Sequence, residues 1–224
     1  MDLRTELVAI LRELGPKLVW RPVHDHLGEL LSDGVADFRD GRPEDIGRVD
    51  FKGRTVIDLG CNLGFYSFLA RQLGADQVLG VDWNEKVIRG AQLIGRIHGV
   101  DGVRFECVNF IDQGVAGQFD ISLLIDFIGK ENLREGIHRV LSRVAGLTRR
   151  QMIISARPYY SINKHLQGDL TRLRGLYPES YLHGDSFHVL DFVRDYFRDD
   201  WDMTVVSPED DYYSVKRTLM FTRK

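Results

Sequence analysis

A short apolar strand, a glycine turn and a helix follow one another between residues 55 and 73, and this order constrains the fold more than any other feature of the chain. Thr55–Leu59 is an apolar, β-branched run, as in a buried strand. The turn Gly60-Cys61-Asn62-Leu63-Gly64 comes next, and the apolar residues after it recur at helical spacing. A strand that leads through a glycine turn directly into a helix is typical of the βαβ units of a parallel sheet.

The same alternation continues along the chain. Strands are predicted at residues 55–59, 77–81, 103–108, 119–125 and 152–156, with amphipathic helices between them. Two more strands, at 201–206 and 215–222, have no helix between them and predict an antiparallel hairpin. We therefore expect an α/β fold: a doubly wound, mostly parallel seven-stranded sheet with helices on both faces and a C-terminal antiparallel hairpin.

Residues 1–50 are predicted to be an N-terminal helical extension or lid, and residues 51–224 a Rossmann-like domain. Leucines and isoleucines at helical spacing predict one helix over residues 3–14, ended by Gly15-Pro16. A second helix is predicted over residues 25–38. Its inward-facing residues would be Leu27, Leu30, Leu31 and Val35.

Composition excludes several classes of function. The 224 residues carry a formal net charge of −3, which argues against a dedicated nonspecific nucleic-acid binder. The two cysteines, Cys61 and Cys107, have no metal-ligand spacing and are too few for a disulfide framework. No secretory signal or long apolar run is visible, so we expect a cytoplasmic protein with no metal site and no membrane partner.

The glycine turn is a candidate nucleotide site, because ligands of doubly wound sheets bind at the carboxyl ends of the strands. A dinucleotide fingerprint needs glycine at the first, third and sixth positions, where this chain has Gly60, Asn62 and Phe65. A P-loop needs four residues between its glycines and then Lys-Ser/Thr, and here only three residues separate Gly60 from Gly64. Asp82 ends the next strand about 20 residues later, which is the spacing of an acid that binds ribose hydroxyls.

The run Asp58-Leu59-Gly60-Cys61-Asn62-Leu63-Gly64, with Asp82 at the end of the next strand, resembles the class I S-adenosylmethionine-dependent methyltransferases. In that family the turn commonly reads acid-x-Gly-x-Gly-x-Gly, and Asn62 replaces the middle glycine. The resemblance implies S-adenosyl-L-methionine as the cofactor. It implies cofactor-binding roles for Asp58, Gly60, Cys61, Asn62, Gly64, Phe65, Asp82, Trp83, Asn109, Phe110 and Asp126.

Within that set the resemblance places Asp58 and the Gly60 backbone near the methionine moiety of the cofactor. It places Asp82 on the ribose hydroxyls, Trp83 against adenine, and Asn109 at the adenine edge. Asp126 falls where the fourth strand opens onto the methyl-transfer site.

The sequence gives fewer signals for the residues that would bind the methyl acceptor than for those that would bind the cofactor. Methyl transfer mainly needs alignment, and a base only if the acceptor must lose a proton. Candidate catalytic residues are His24, His26, Asp126 and Lys130. In the resembling family, an Asn-Pro-Pro-Tyr or Asp-Pro-Pro-Tyr element after the fourth strand marks methylation of amide or exocyclic base nitrogens. This chain has no such element, so the resemblance disfavours methylation of an exocyclic amine. A segment rich in Arg and Tyr after residue 143 fits an anionic acceptor, although acids after residue 185 could neutralise it.

These features predict a methyltransferase for a small or medium polar acceptor, modified at oxygen or carbon. One alternative is a tRNA or RNA methyltransferase. Another is a noncatalytic regulator that binds S-adenosylmethionine. A nicotinamide dehydrogenase is disfavoured by Asn62 and Phe65. The sequence identifies neither the acceptor nor the oligomeric state.

Overall fold

The protein is described by a computed structural model over residues 2–35, 42–207 and 216–224. Its main element is a seven-stranded sheet. In chain order the strands of this sheet are β3 (Thr55–Leu59), β4 (Gln77–Asp82), β5 (Val103–Cys107), β6 (Phe119–Leu124), β7 (Thr148–Ala156), β11 (Trp201–Val205) and β12 (Arg217–Arg223).

The strand order across the sheet is β5-β4-β3-β6-β7-β12-β11. Strands β3 to β7 are mutually parallel, β12 runs antiparallel to β7, and β11 pairs antiparallel with β12. The predicted fold class and the terminal hairpin are therefore confirmed. Chain direction across the sheet reverses between β3 and β6, and a cleft opens at such a switch point beyond the carboxyl ends of the strands.

Helices cover both faces of the sheet. The helices are α1 (Leu3–Leu14), α2 (Arg42–Ile46), α3 (Phe65–Gln72), α4 (Glu85–Ile97), α5 (Lys130–Glu135), α6 (His138–Leu147), α7 (Ile162–His165), α8 (Leu170–Leu176) and α9 (Val189–Phe197). Alternate residues of β3 point to opposite faces: Val56 packs with α2 and α3, whereas Ile57 and Leu59 pack with α6 and α9. No helix among the described residues has the length and apolar character needed to cross a bilayer.

The first helix forms as predicted and packs on α4. Asp2 caps its start by accepting a hydrogen bond from the Thr5 amide, and Gly15 ends it with φ 66°. Ion pairs join the two helices at Arg89–Glu6 and Lys86–Glu13. The N-terminal residues are thereby attached to the sheet domain.

The helix predicted over residues 25–38 is wrong. Residues 23–32 form a hairpin instead, in which β1 (Val23–His24) pairs antiparallel with β2 (Leu30–Ser32). Asp25 accepts hydrogen bonds from the amides of Leu27 and Glu29, and Gly28 takes φ 82°. This turn chemistry prevailed over the helical spacing of the leucines, and Leu27 is 79% exposed. Residues 36–38 of the predicted helix lie outside the described residues.

Three other regions show details of the fold. Two helices, α5 and α6, lie between β6 and β7 and are separated at Gly136 with φ 92°. Helix α9 begins at Val189, just after the strand at residues 186–187. The segment after β7 folds with a three-stranded sheet of β8 (Tyr160–Ser161), β10 (Ser186–Phe187) and β9 (Leu182–His183), with a 3-10 turn at Glu179–Tyr181. The buried Tyr177 ties this segment to the sheet domain: its hydroxyl donates to the Leu133 carbonyl at 2.8 Å and accepts from the Ile137 amide at 3.1 Å.

Candidate functional site

A cavity of about 700 Å³ lies beyond the carboxyl ends of β3, β4 and β6. Its wall comes from five stretches of the chain, at residues 20–24, 58–69, 82–83, 108–111 and 125–127, with single residues from other elements. This volume is within the range of small-molecule and cofactor sites. Among the described residues, no group of His, Cys, Asp or Glu is placed to hold a metal ion.

The glycine turn forms one side of this cavity, and packing accounts for two of its glycines. Gly60 has φ 74°, and a Cβ there would lie 2.7 Å from the Phe127 ring. Gly64 has φ 85°, and its Cβ would lie 2.6 Å from the Phe105 ring. Gly64 is not part of the cavity wall; it lets the start of α3 pack against β5.

Asp58, on β3, is a buried carboxyl group in the cavity wall. It is 3% exposed, and its Oδ2 accepts a hydrogen bond of 2.7 Å from the Ser67 hydroxyl on α3. Burial raises the pKa of Asp58 to about 6, against the opposing effect of the Ser67 hydrogen bonds, and the nearby Asp82 carboxylate raises it further. A cation bound beside Asp58 would favour its ionised form.

Asp82 lies at the end of β4 and faces the same cavity. Its Oδ2 accepts from the Asn62 amide at 3.2 Å, and its Oδ1 accepts from the Asn84 amide at 3.0 Å. Burial raises the pKa of Asp82. The next residue, Trp83, also lines the cavity and is 71% exposed. The structure thus brings Asp58 and Asp82 together at one cavity, as their positions at adjacent strand ends predict.

Four other predicted cofactor residues also line the cavity: Cys61, Phe65, Phe110 and Asn109. Cys61 is buried, and burial raises the pKa of its thiol, so the group is neutral at ordinary pH. Phe65 and Phe110 present their rings to the cavity, and Phe110 packs against Phe127 with ring centroids 5.3 Å apart. The Asn109 side chain is engaged locally: it accepts from the Ile111 amide and donates to Asp112.

Asp126 lines the cavity just after β6, on the other side of β3 from Asp82, in a left-handed conformation with φ 57°. Its carboxylate contacts two cations, with Lys216 Nζ at 2.5 Å and Arg21 Nη2 at 3.5 Å. Arg21 also donates to the Tyr66 hydroxyl at 2.6 Å, and its guanidinium lies 5.5 Å from the centroids of the Phe65 and Tyr66 rings. Left-handed residues other than glycine are costly and tend to occur at functional sites.

Sequence reasoning missed Arg21, Tyr66 and Lys216. Arg21 and Lys216 lie 105 and 90 residues from Asp126 along the chain, so no local pattern joins them. Tyr66 carried a signal, because it places a polar hydroxyl in the first turn of the helix that follows the glycine turn. A buried aromatic residue with a polar group at that position is a candidate cavity residue.

The predicted catalytic residues divide into two pairs. His24 and Asp126 line the cavity, and the His24 carbonyl lies 3.0 Å from the His98 ring nitrogen Nε2. His26, in the turn of the N-terminal hairpin, and Lys130, at the start of α5, are exposed and lie outside the cavity wall.

The basic, aromatic segment predicted to flank the acceptor does not form one surface. Arg149 and Arg150 lie at the start of β7, at its amino end. The cavity lies beyond the carboxyl ends of the strands, so these two residues are at the opposite end of the sheet. Arg157 lies past the other end of that strand, stacked 5.5 Å from the Tyr160 ring centroid, and Arg174 pairs with Glu179. The charges of this segment are therefore divided between opposite ends of the sheet.

Comparison with known proteins identifies relatives of this chain by family and by fold. The model of a family described as "Methyltransferase domain" matches residues 50–174. A ribosomal protein L11 methyltransferase of Thermotoga petrophila is 35% identical over 95 residues, which are 41% of this chain and 34% of that protein. A ubiquinone biosynthesis O-methyltransferase of Neisseria meningitidis is 30% identical over 70 residues, which are 31% of this chain and 29% of that protein. The chain therefore matches about a third of the length of these curated relatives.

The crystal structure of magnesium protoporphyrin IX methyltransferase from Synechocystis, with bound SAH, has a similar fold. Its TM-score is 0.59 at 22% sequence identity, and the alignment covers 86% of this chain and 90% of that one. At this identity the similarity is one of fold.

Proposed function

This chain belongs to the methyltransferase-domain family, and we propose that it transfers a methyl group from S-adenosylmethionine to an oxygen or carbon of a small or medium polar acceptor. The family match confirms the predicted methyltransferase family. S-adenosylmethionine as the methyl donor is supported by the two carboxylates at the strand ends and belongs to the proposal. The acceptor and the residue roles below also belong to the proposal.

The observation that carries the proposal is one continuous cavity with two chemically different ends. Because β4 and β6 flank β3 in the sheet, Asp82 and Trp83 after β4 lie at one end, the donor end, and Asp126 after β6 lies with Arg21 at the other, the acceptor end. Residues 20–24 close one side of it. A donor bound at the first end and an acceptor bound at the second would meet in one cavity, which provides the alignment that methyl transfer needs.

For the cofactor, we assign Asp82 to the ribose hydroxyls and Trp83 to the adenine face. Asp58 and the Gly60 backbone receive the methionine moiety, because a buried carboxylate favours its ammonium group. Asn109 shapes the loop beside the adenine rather than reading its edge, since its side chain is already engaged with Ile111 and Asp112.

For the acceptor, the pairing of Asp126 favours an oxygen or carbon over a protonated amine. Arg21 and Lys216 both contact this carboxylate, so its charge is already engaged by cations of the chain rather than offered to a cationic acceptor. His24, which lines the cavity, is the proposed base where an acceptor hydroxyl must lose its proton. His26 and Lys130 have no proposed role, because they lie outside the cavity wall.

A small acceptor is favoured over RNA because the basic segment is divided between opposite ends of the sheet. The relatives named above act on a ribosomal protein, in ubiquinone biosynthesis and on a porphyrin, so their names do not select an acceptor class. The N-terminal residues are proposed to act as a lid, because residues 20–24 already form part of the cavity wall.

A labelled-methyl screen tests the proposal. The full chain is incubated with S-adenosylmethionine labelled at the methyl group and, separately, with metabolite fractions, bulk tRNA and ribosomal protein. We expect label in a small-molecule fraction, and about thirtyfold less, or lower still, with Asp82→Ala at a subsaturating concentration of S-adenosylmethionine. Label in tRNA or protein alone would refute the proposed acceptor class. Binding of S-adenosylmethionine without turnover on any fraction would instead favour the noncatalytic alternative.

A further inference from the structure

Asn62 occupies the turn position at which the resembling family commonly has glycine. It takes φ 49°, in the left-handed region. Backbone geometry alone does not account for the choice, because glycine adopts this region at lower cost than asparagine. The side-chain amide, in contrast, makes contacts that glycine cannot make.

The amide of Asn62 binds the backbone of residues 18–24, which we call the wall segment. Its Nδ2 donates to the Leu18 carbonyl at 2.8 Å, and its Oδ1 accepts from the Trp20 amide at 3.4 Å. One side chain thus satisfies a carbonyl and an N–H two residues apart, as a neighbouring strand would. An amide turned the other way would place Oδ1 against the Leu18 carbonyl oxygen and Nδ2 against the Trp20 N–H. These contacts therefore also determine the orientation of the amide.

The backbone of Asn62 faces the cofactor side. Its N–H donates at 3.2 Å to Asp82 Oδ2, on the carboxylate that we assign to the ribose. The wall segment continues from Trp20 to Arg21, which reaches Tyr66 and Asp126 at the acceptor end. A chain of direct contacts therefore runs from the ribose site through Asn62 to the acceptor end of the cavity.

We propose that Asn62 is a positioning residue that couples cofactor binding to the placement of the wall segment. A ribose held by Asp82 restrains the turn, the turn restrains the Asn62 amide, and the amide holds Leu18 and Trp20. Arg21 is then held at the acceptor end. The coupling is reciprocal, so a restrained wall segment favours the bound cofactor by the same factor. This inference rests on the proposed cofactor site.

Amide hydrogen exchange of the full chain tests the coupling without knowledge of the acceptor. Exchange in residues 18–24 is measured with and without saturating S-adenosylhomocysteine, and calorimetry establishes saturation for each variant. In the wild type we expect bound S-adenosylhomocysteine to slow exchange of the Trp20 amide about tenfold or more. Asn62→Gly keeps the turn conformation and removes the amide, so this slowing should fall to less than about twofold.

Asn62→Asp is the matched variant. It keeps the acceptor for the Trp20 amide but places an oxygen against the Leu18 carbonyl, so it should not restore the slowing. A merely structural role for Asn62 would raise exchange equally with and without ligand and leave their ratio unchanged. The same slowing in Asn62→Gly as in wild type, or no slowing in a wild type that binds the ligand, would overturn the coupling. Failure of the wild type to bind S-adenosylhomocysteine would overturn the cofactor site itself.

Discussion

The buried carboxyl group of Asp58 makes cofactor binding dependent on pH. Burial raises its pKa to about 6, whereas the ammonium group of a bound methionine moiety favours the ionised form. At pH 5 about nine in ten copies of Asp58 in the empty protein carry a proton that binding must remove. The affinity for S-adenosylhomocysteine should therefore be about tenfold weaker at pH 5 than at pH 7, or about 1.4 kcal/mol.

Calorimetry between pH 5 and 7.5, in buffers of different ionisation heat, measures both the affinity and the protons released. We expect release of nearly one proton at pH 5 and almost none at pH 7. Ser67→Ala removes the hydrogen bond that stabilises the Asp58 carboxylate, so it should move the midpoint to higher pH. Asp58→Asn should bind weakly and lose the transition near pH 6. Equal wild-type affinity at pH 5 and 7 would refute the reasoning.

The raised pKa of Asp58 affects the stability of the fold in the opposite direction: a rise in pH strengthens cofactor binding but makes the empty protein less stable. The folded pKa of Asp58 lies above the unfolded value of 3.8, so between these values the unfolded chain loses the proton first. Asp58 therefore costs the empty protein stability as pH rises from about 4 to about 6, by on the order of 3 kcal/mol at pH 7. In urea unfolding, the advantage of Asp58→Asn over wild type should grow between pH 4 and 7. A constant difference would contradict this.

Three further substitutions have expected outcomes. Asp82→Ala should weaken S-adenosylhomocysteine binding by about 2–4 kcal/mol in calorimetry, because a charged acceptor of two ribose hydrogen bonds is lost; unchanged affinity would contradict its assignment. Gly64→Ala should destabilise the fold more than Gly117→Ala in urea unfolding, because both have positive φ but only Gly64 faces the Phe105 ring; equal losses would contradict the packing argument. Tyr177→Phe should cost about 1–3 kcal/mol in the same assay, because two buried backbone groups lose their partner; a loss near zero would show that they find another.

The sequence predicts the sheet well because each strand and helix has its own period. Asp58 and Asp82 meet at one cavity because each ends a strand, and adjacent parallel strands end at the same edge. Asn84 precedes α4 in the sequence and caps it: its side chain accepts from the amides of Lys86 and Val87. These are local consequences of pattern and capping.

The remaining parts depend on contacts that no local pattern shows. The leucines of residues 27–31 have helical spacing, yet the turn at Asp25 and Gly28 makes a hairpin. Arg21 reaches Asp126 across 105 residues, so only the assembled fold identifies it. Whether the protein is cytoplasmic, and whether residues 1–50 form a separate unit, stay predictions.

The cluster of Asp126 with Arg21 and Lys216 also bears on the order in which the site is assembled. Arg21, Asp126 and Lys216 come from widely separated parts of the chain, whereas Asp58, Asn62 and Asp82 lie within 25 residues of one another. Contacts between distant residues close late in folding, because the entropy of loop closure must be overcome before they form. We therefore expect the donor end of the cavity to form earlier during folding and the acceptor end to form last.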